Sequence, residues 1–243
     1  MSAPLLEIAA NSLASALAAQ EGGADRIELC ENLGEGGTTP SHGTIAMVRE
    51  RLHIPVYVLI RPRGGDFLYD DAEAEVVRRD IEHCVRLGCD GVVIGALDAD
   101  GSVDNARCSE WISAAATLGV TFHRAFDAAR DQAQALRTIV DLGCERVLTS
   151  GAQARALDGA DAIAALLGLM GDRIRIMAGA GIDAGNVREI ARRSGAHEFH
   201  ASARTLHRSA MRYRHPGLSG LEPDRQQTDA KRVRALVAAL QER

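Results

Sequence analysis

Residues 73–94 read EAEVVRRDIEHCVRLGCDGVVI, and this stretch decides the fold. Apolar residues recur three and four apart up to Leu87, the spacing of one helix face. A short apolar run follows at 91–96, GVVIGA, with the length and composition of a buried strand. Gly88 separates the two, where a helix end calls for a left-handed residue. The same punctuation occurs five times: EGGADRIEL (21–29), RLGCDGVVI (86–94), TLGVTFHRA (117–125), DLGCERVLT (141–149) and RSGAHEFHA (193–201). Candidate strands lie at 5–9, 26–30, 55–61, 91–96, 120–126, 146–150, 173–179 and 197–203, with helical patterns between them. The repeat is a βα unit of roughly 25–30 residues. Eight such units predict a single α/β domain over 1–243, a (β/α)8 TIM barrel. A doubly wound sheet is the alternative, but its nucleotide fingerprint is absent. Residues 204–227 are basic and aperiodic and contain Pro216 and Pro223. They read as a long excursion before the last helix.

Composition narrows the function. The 243-residue chain carries a net charge of −5, which gives no reason to expect a nucleic-acid or membrane surface. Apolar runs fall far short of the ~20 residues of a membrane span, and MSAPLLEIAANS does not have the pattern of a signal peptide. The five cysteines read as free thiols in a reducing compartment, so the expected location is cytoplasmic. Lys231 is the single lysine, and it lies in an amphipathic stretch near the end of the chain. Schiff-base chemistry needs an amine in the site, so that class is disfavoured.

In such barrels the chemistry sits at the C-terminal ends of the strands. Those ends offer Glu7, then Glu28, Cys30 and Glu31, then Arg61, Arg63 and Asp66, then His123 and Arg124, then Thr149 and Ser150, and finally His200 and Ser202. Gly95 ends the fourth strand and leaves room there for a ligand. The period of two lets Glu7, Glu28, Arg61, His123 and His200 all point inward. Two readings stay open. The acids pair with Arg61 and the histidines in a buried network, or Glu7, Glu28, Arg61, Arg63, Asp66, His123 and His200 form a catalytic set. In the second, the arginines clamp a carboxylate or phosphate and His123 or Glu28 exchanges protons.

Individual motifs sharpen this. GEGGTTPS (34–41) lacks the Gly-Lys-Ser/Thr ending of a P-loop and reads as a loop that starts the next helix. AGAGID (178–183) misses dinucleotide spacing. It suits a phosphate site after strands 7 and 8, built from Gly179 and Gly181 with Ser202, Ala203 and Arg204. Cys30 is the one thiol at a strand end, and Cu(I) prefers such soft ligands. A hard-metal set of Glu7, Glu28, His123 and His200 is also conceivable. The two histidines of HEFH (197–200) face opposite sides of a strand and do not chelate together. Asp127 and Arg130 read as helix-capping or ion-pairing residues.

RIELCENLGEGGTTPSHG, IRPRGGDFLY, GVVIGAL, TFHRAFD, RVLTSG, AGAGI and EFHASA occur in this order. Over residues 5–214 the chain resembles the CutC family, the so-called copper homeostasis proteins. The resemblance implies a cytosolic (β/α)8 barrel that forms homo-oligomers and handles copper, with Cu(I) held by cysteines. By position Cys30 carries that role. Many members place a second thiol on strand 1, where this chain has Ala9. Met177, or Cys30 of a neighbouring subunit, is then the remaining soft partner. Two functional expectations result: copper homeostasis through copper ion binding, or a barrel enzyme acting on a small anionic or phosphorylated metabolite by general acid–base chemistry.

Overall fold

The computed structural model describes residues 3–217 and 221–241. Strands and helices alternate: β1 (Leu5–Ala10), α1 (Leu13–Gly22), β2 (Arg26–Leu29), α2 (His42–Arg51), β3 (Val56–Leu59), α3 (Asp71–Arg86), β4 (Gly91–Ile94) and α4 (Asn105–Ala114). The second half continues with β5 (Gly119–Phe122), α5 (Gln132–Asp141), β6 (Arg146–Thr149), α6 (Ala160–Met170), β7 (Arg175–Gly179), α7 (Val187–Ser194) and β8 (Glu198–Ala201). These eight strands close into a parallel barrel in sequence order, β8 pairing with β1. The expected TIM barrel is the observed fold.

Local chemistry explains the boundaries. Ser12, Ser41, Asp70, Asp104 and Asp131 each cap the helix that follows them, satisfying a donor left free at the helix start. Ser41 confirms that the GEGGTTPS loop starts α2. Four of the five punctuation glycines adopt positive φ, as at Gly88 (67°). The fifth does not. In TLG the left-handed residue is Ala116 (φ 54°), and Gly119 opens β5 because a Cβ there would lie 2.3 Å from the Tyr57 hydroxyl.

Several strands are shorter than their apolar runs. Beyond Leu59 the amide of Arg61 leaves the ladder to donate to Thr39 Oγ1 at 2.9 Å. β5 stops where His123 caps a 3-10 turn over Arg124–Ala128. The 204–227 excursion contains regular structure at its ends. β9 (Arg204–His207) and β10 (Arg225–Thr228) pair antiparallel and lead into α8 (Ala230–Gln241). Their polar sequences hide a ribbon that faces solvent on most positions.

The main apolar core lies between strands and helices, with Ile8, Ile27, Val58, Val92, Phe122, Val147 and Phe199 all buried. Inside the barrel the apolar cluster is small: Ala9, Cys30, Tyr57, Leu59 and Val93. Barrels of this kind usually fill that space with branched aliphatics. Here much of it holds ionisable groups, with Glu7, Arg26, Glu28, Arg146 and His123 all buried.

Candidate functional site

Three strands, β1, β2 and β8, set the first contacts. Glu7 pairs in register with Arg26 on one side and with His200 on the other. In the lower half of the barrel, Arg26 donates from Nε to Glu7 and from Nη2 to Glu198 at 3.2 Å. Arg146 donates to the same Glu198, and to Glu145 (2.8 Å) and Thr121 (3.2 Å). Tyr57 donates its hydroxyl to Glu145 at 2.6 Å, and both guanidiniums sit over its ring at 4.9 and 5.5 Å. Gly91 and Gly119 make room for that ring.

The network continues upward. His200 Nδ1 lies 2.8 Å from Glu7 and its Nε2 lies 3.5 Å from Glu28. Burial favours a neutral Glu7, but Arg26 and His200 overrule it and hold the carboxyl at about 2. Glu28 gets less help. Burial, against only partial compensation by His200, pushes its carboxyl up to about 7. The His200 imidazole loses to burial but gains more from Glu28 and Glu7, so its pKa rises. The result is a chain of proton-sharing groups, Glu7–His200–Glu28, anchored below by Arg26.

Above this chain lies a cavity of about 680 Å³. Glu28, Arg61, His123, His200, Gly181 and Ser202 line it. Glu7 lies beneath it, wholly buried. Arg63 and Asp66 lie outside it. They pair with each other at 3.0 Å, and Arg63 reaches Glu73 at the start of α3, which fixes the loop after β3. Gly179 is also outside the lining, and a Cβ there would meet Leu148 at 2.5 Å and His200 at 3.3 Å.

Arg61 does not pair with the acids. Its guanidinium donates to the carbonyls of Glu35, Gly37 and Gly65 at 2.7–2.9 Å, so it staples two loops together at the cavity wall. Its Nε has no partner among the described residues. Gly95 makes room for a side chain and not a ligand: a Cβ there would meet the His123 ring at 2.7 Å. His123 is 4% exposed. Burial and then the charge of Arg61 hold its pKa down at about 3, so the ring is neutral.

Cys30 is buried among Ala9, Tyr57, Leu59 and Val93, with its thiol 3.8 Å from the Ala10 carbonyl. Burial and the nearby Glu28 push that thiol well above its ordinary pKa. Met177 directs its sulfur at Arg26 Nη2, 3.6 Å away. Glu7, Glu28 and His200 place donor atoms within 4.8 Å of one another, and His123 is not part of that group. Each His200 nitrogen already faces a carboxylate and Glu7 is locked to Arg26, so the trio fits a proton better than a cation.

Some site residues escaped the sequence. Asp127 lines the cavity and accepts from Thr149, Ser150, Ala152 and Arg124. Its 2.7 Å pair with Arg124 is the ion-pairing role expected of it, but its place on the cavity and its hold on the end of β6 were not expected. Arg26 and Arg146 were also missed. Arg26 stands two residues before Glu28, in phase with it on the inner face, and that spacing was the available signal.

Comparison with known proteins agrees with this architecture. A sequence model of the CutC family matches residues 4–205. A CutC family protein of Xanthomonas campestris is 58% identical over 236 residues, covering 97% of this chain and 98% of its own. The human copper homeostasis protein cutC homolog is 47% identical over 240 residues, covering 96% of this chain and 88% of its own. The crystal structure of a CutC protein from Streptococcus agalactiae superposes with a TM-score of 0.79 at 34% identity, over 82% of this chain and 98% of that one. Thiamine phosphate pyrophosphorylase from Pyrococcus furiosus shares the fold, with a TM-score of 0.60 at 15% identity.

Proposed function

The chain belongs to the CutC family, and we propose that its barrel is an enzyme that moves protons on a small anionic metabolite held in the cavity. One observation carries this: Glu28 is buried at the cavity floor with its carboxyl raised to about 7. A group with that pKa takes and gives a proton at neutral pH. His200 steadies it, Glu7 fixes His200, and Arg26 fixes Glu7. Perturbed groups of this kind in a cavity mark functional sites more often than chance.

An anionic substrate is favoured by Arg124 and Arg204 on the lining. Backbone strain adds support. Ala180 and Ala203 hold φ of 81° and 46° where the ends of β7 and β8 border the cavity. Non-glycine residues keep such conformations when their surroundings demand it, commonly at ligand sites.

A thermal-shift panel of inorganic phosphate, C2–C4 hydroxy and keto acids and sugar phosphates tests this, followed by turnover assays on the compounds that bind. At least one should stabilise both wild type and Glu28→Gln, with turnover in the variant lower by about 10²–10⁴. A cavity that binds none of these classes, or turnover indifferent to Glu28→Gln, contradicts the proposal.

The name of the human relative and the thiol inside the barrel favour a second reading, copper binding. Cys30 is its ligand, and Cu(I) is the ion that suits a thiolate. Among the described residues no second thiol joins Cys30 in the barrel's inner cluster, and Cys30 is wholly buried, so the soft donor left within the barrel is Met177, whose sulfur now faces Arg26. An anaerobic Cu(I) competition titration of wild type beside Cys30→Ser decides it. Tight binding lost in the variant supports copper. Weak binding that the variant leaves unchanged removes it.

A further inference from the structure

Among the described residues, five buried side-chain nitrogens or oxygens lack any hydrogen-bond partner: Arg61 Nε, Tyr69 Oη, His83 Nε2, His123 Nε2 and Gln132 Nε2. Of the five residues only Arg61 and His123 line the large cavity. The His123 ring is fixed from three sides. Its Nδ1 accepts the Ala125 amide at 3.1 Å, Gly95 packs against its face, and the Phe67 ring stands 5.1 Å away. Accepting at Nδ1 settles the tautomer. In the neutral ring the proton sits on Nε2, which makes that atom a buried donor with nothing to donate to. Buried donors are normally paired, so a rigidly held orphan beside a cavity calls for an acceptor supplied by a ligand.

We propose that this acceptor is the oxygen of a substrate carbonyl, and that the cavity takes a small hydroxy-carbonyl anion whose proton beside the carbonyl is mobile. This deepens the acid–base proposal for Glu28 and rests on it. The Glu28 carboxylate takes the proton from the carbon next to the carbonyl. The C–H electron pair becomes the second bond of C=C, and the carbonyl π pair moves onto oxygen. The enolate oxygen accepts from His123 Nε2–H. Glu28 then returns the proton, to the same carbon or to the former carbonyl carbon. In the second case the hydroxyl proton passes to the other oxygen, and the product is an isomer. No oxidant, reductant or second substrate is consumed. A neutral imidazole suits the task, because it stabilises negative charge that develops in the transition state without adding a cation beside Arg61.

Glycolohydroxamate, a planar mimic of an enediolate, is the probe, with glycolate, one heavy atom smaller, as a control that lacks the enediolate geometry. Binding is followed by calorimetry, and the His123 ring by ¹⁵N NMR. The expected spectrum is a neutral Nε2–H tautomer from pH 5 to 9, with its proton moving downfield when glycolohydroxamate binds. His123→Ala should weaken the hydroxamate about 10-fold or more while glycolate changes far less, and His123→Gln, which keeps a donor, should restore part of the loss. An imidazolium or Nδ1–H tautomer at neutral pH overturns the inference. So does hydroxamate binding that His123→Ala leaves unchanged, or no hydroxamate binding to wild type. In each of those cases a Glu28 carboxyl that still titrates near 7 leaves the acid–base proposal standing. An ordinary Glu28 titration brings down both.

Discussion

The lower and upper halves of the barrel interior are built from the same residue types and differ in how they are closed. Below, Arg26 and Arg146 share Glu198, Arg26 also holds Glu7, and Tyr57 and Thr121 complete the shell. Above, among the described residues, Glu28 has only a 3.5 Å approach from His200, and His123 Nε2 and Arg61 Nε have no partner. Closed networks of buried charge maintain a structure, because removing one member strands another. Open ones wait for a ligand. The difference separates scaffold from site more sharply than any list of conserved-looking polar residues.

The largest effect should come from breaking the closed half. Arg26→Met leaves Glu7 and Glu198 buried with fewer partners, at a cost of about 3–5 kcal/mol. For a chain of this size that lowers the melting temperature by roughly 10 °C, read by circular dichroism. A fall of only a degree or two would show that the lower network is not structural.

A smaller, pH-dependent effect marks the open half. Glu28 has a raised pKa in the folded protein, so its protonated form stabilises the fold below a free glutamate's 4.5, and this contribution is lost as pH rises through about 7. The loss is about 3 kcal/mol. Wild type should therefore melt lower at pH 8 than at pH 5. Glu28→Gln should show a much flatter profile, keeping only the share of the His200 rise that Glu7 sustains, because Glu28 is the larger cause of that rise and is gone. Equal slopes for the two proteins would erase the distinction between the halves.

The smallest effect belongs to Arg63→Ala. Its partners Asp66 and Glu73 are solvent-accessible, and such pairs contribute little. Because Arg63 also donates to the loop carbonyls of Gly64, Asp66 and Leu68, the melting temperature should fall by about 2–4 °C, and ligand binding should stay within error. A clear loss of ligand binding would return Arg63 to the site.

The sequence made the barrel legible because its signals are local. Helical spacing, capping residues and glycines such as Gly88 act within a few positions of one another, and each pointed to the same βα repeat. It also revealed which residues face inward, since that depends only on a period of two. Depth was not legible. Glu7 and Glu28 share the inner surface, yet one is locked to Arg26 below the cavity and the other lines it. Loop residues after a strand carry no phase at all, which is why Arg63 and Asp66 looked equivalent to Arg61. The donor state of His123 depends on a 3-10 turn that brings the Ala125 amide to Nδ1, a contact that no spacing rule announces. Gly95 was legible as a gap, but its occupant, the His123 ring, was not.

The most direct test of the central claim is a ¹³C NMR titration of the glutamate carboxyls, with Glu28 assigned by its absence in Glu28→Gln. The account predicts a midpoint near 7 for Glu28 that moves when His200 is replaced by alanine. A midpoint in the ordinary range near 4.5, indifferent to His200→Ala, would contradict it.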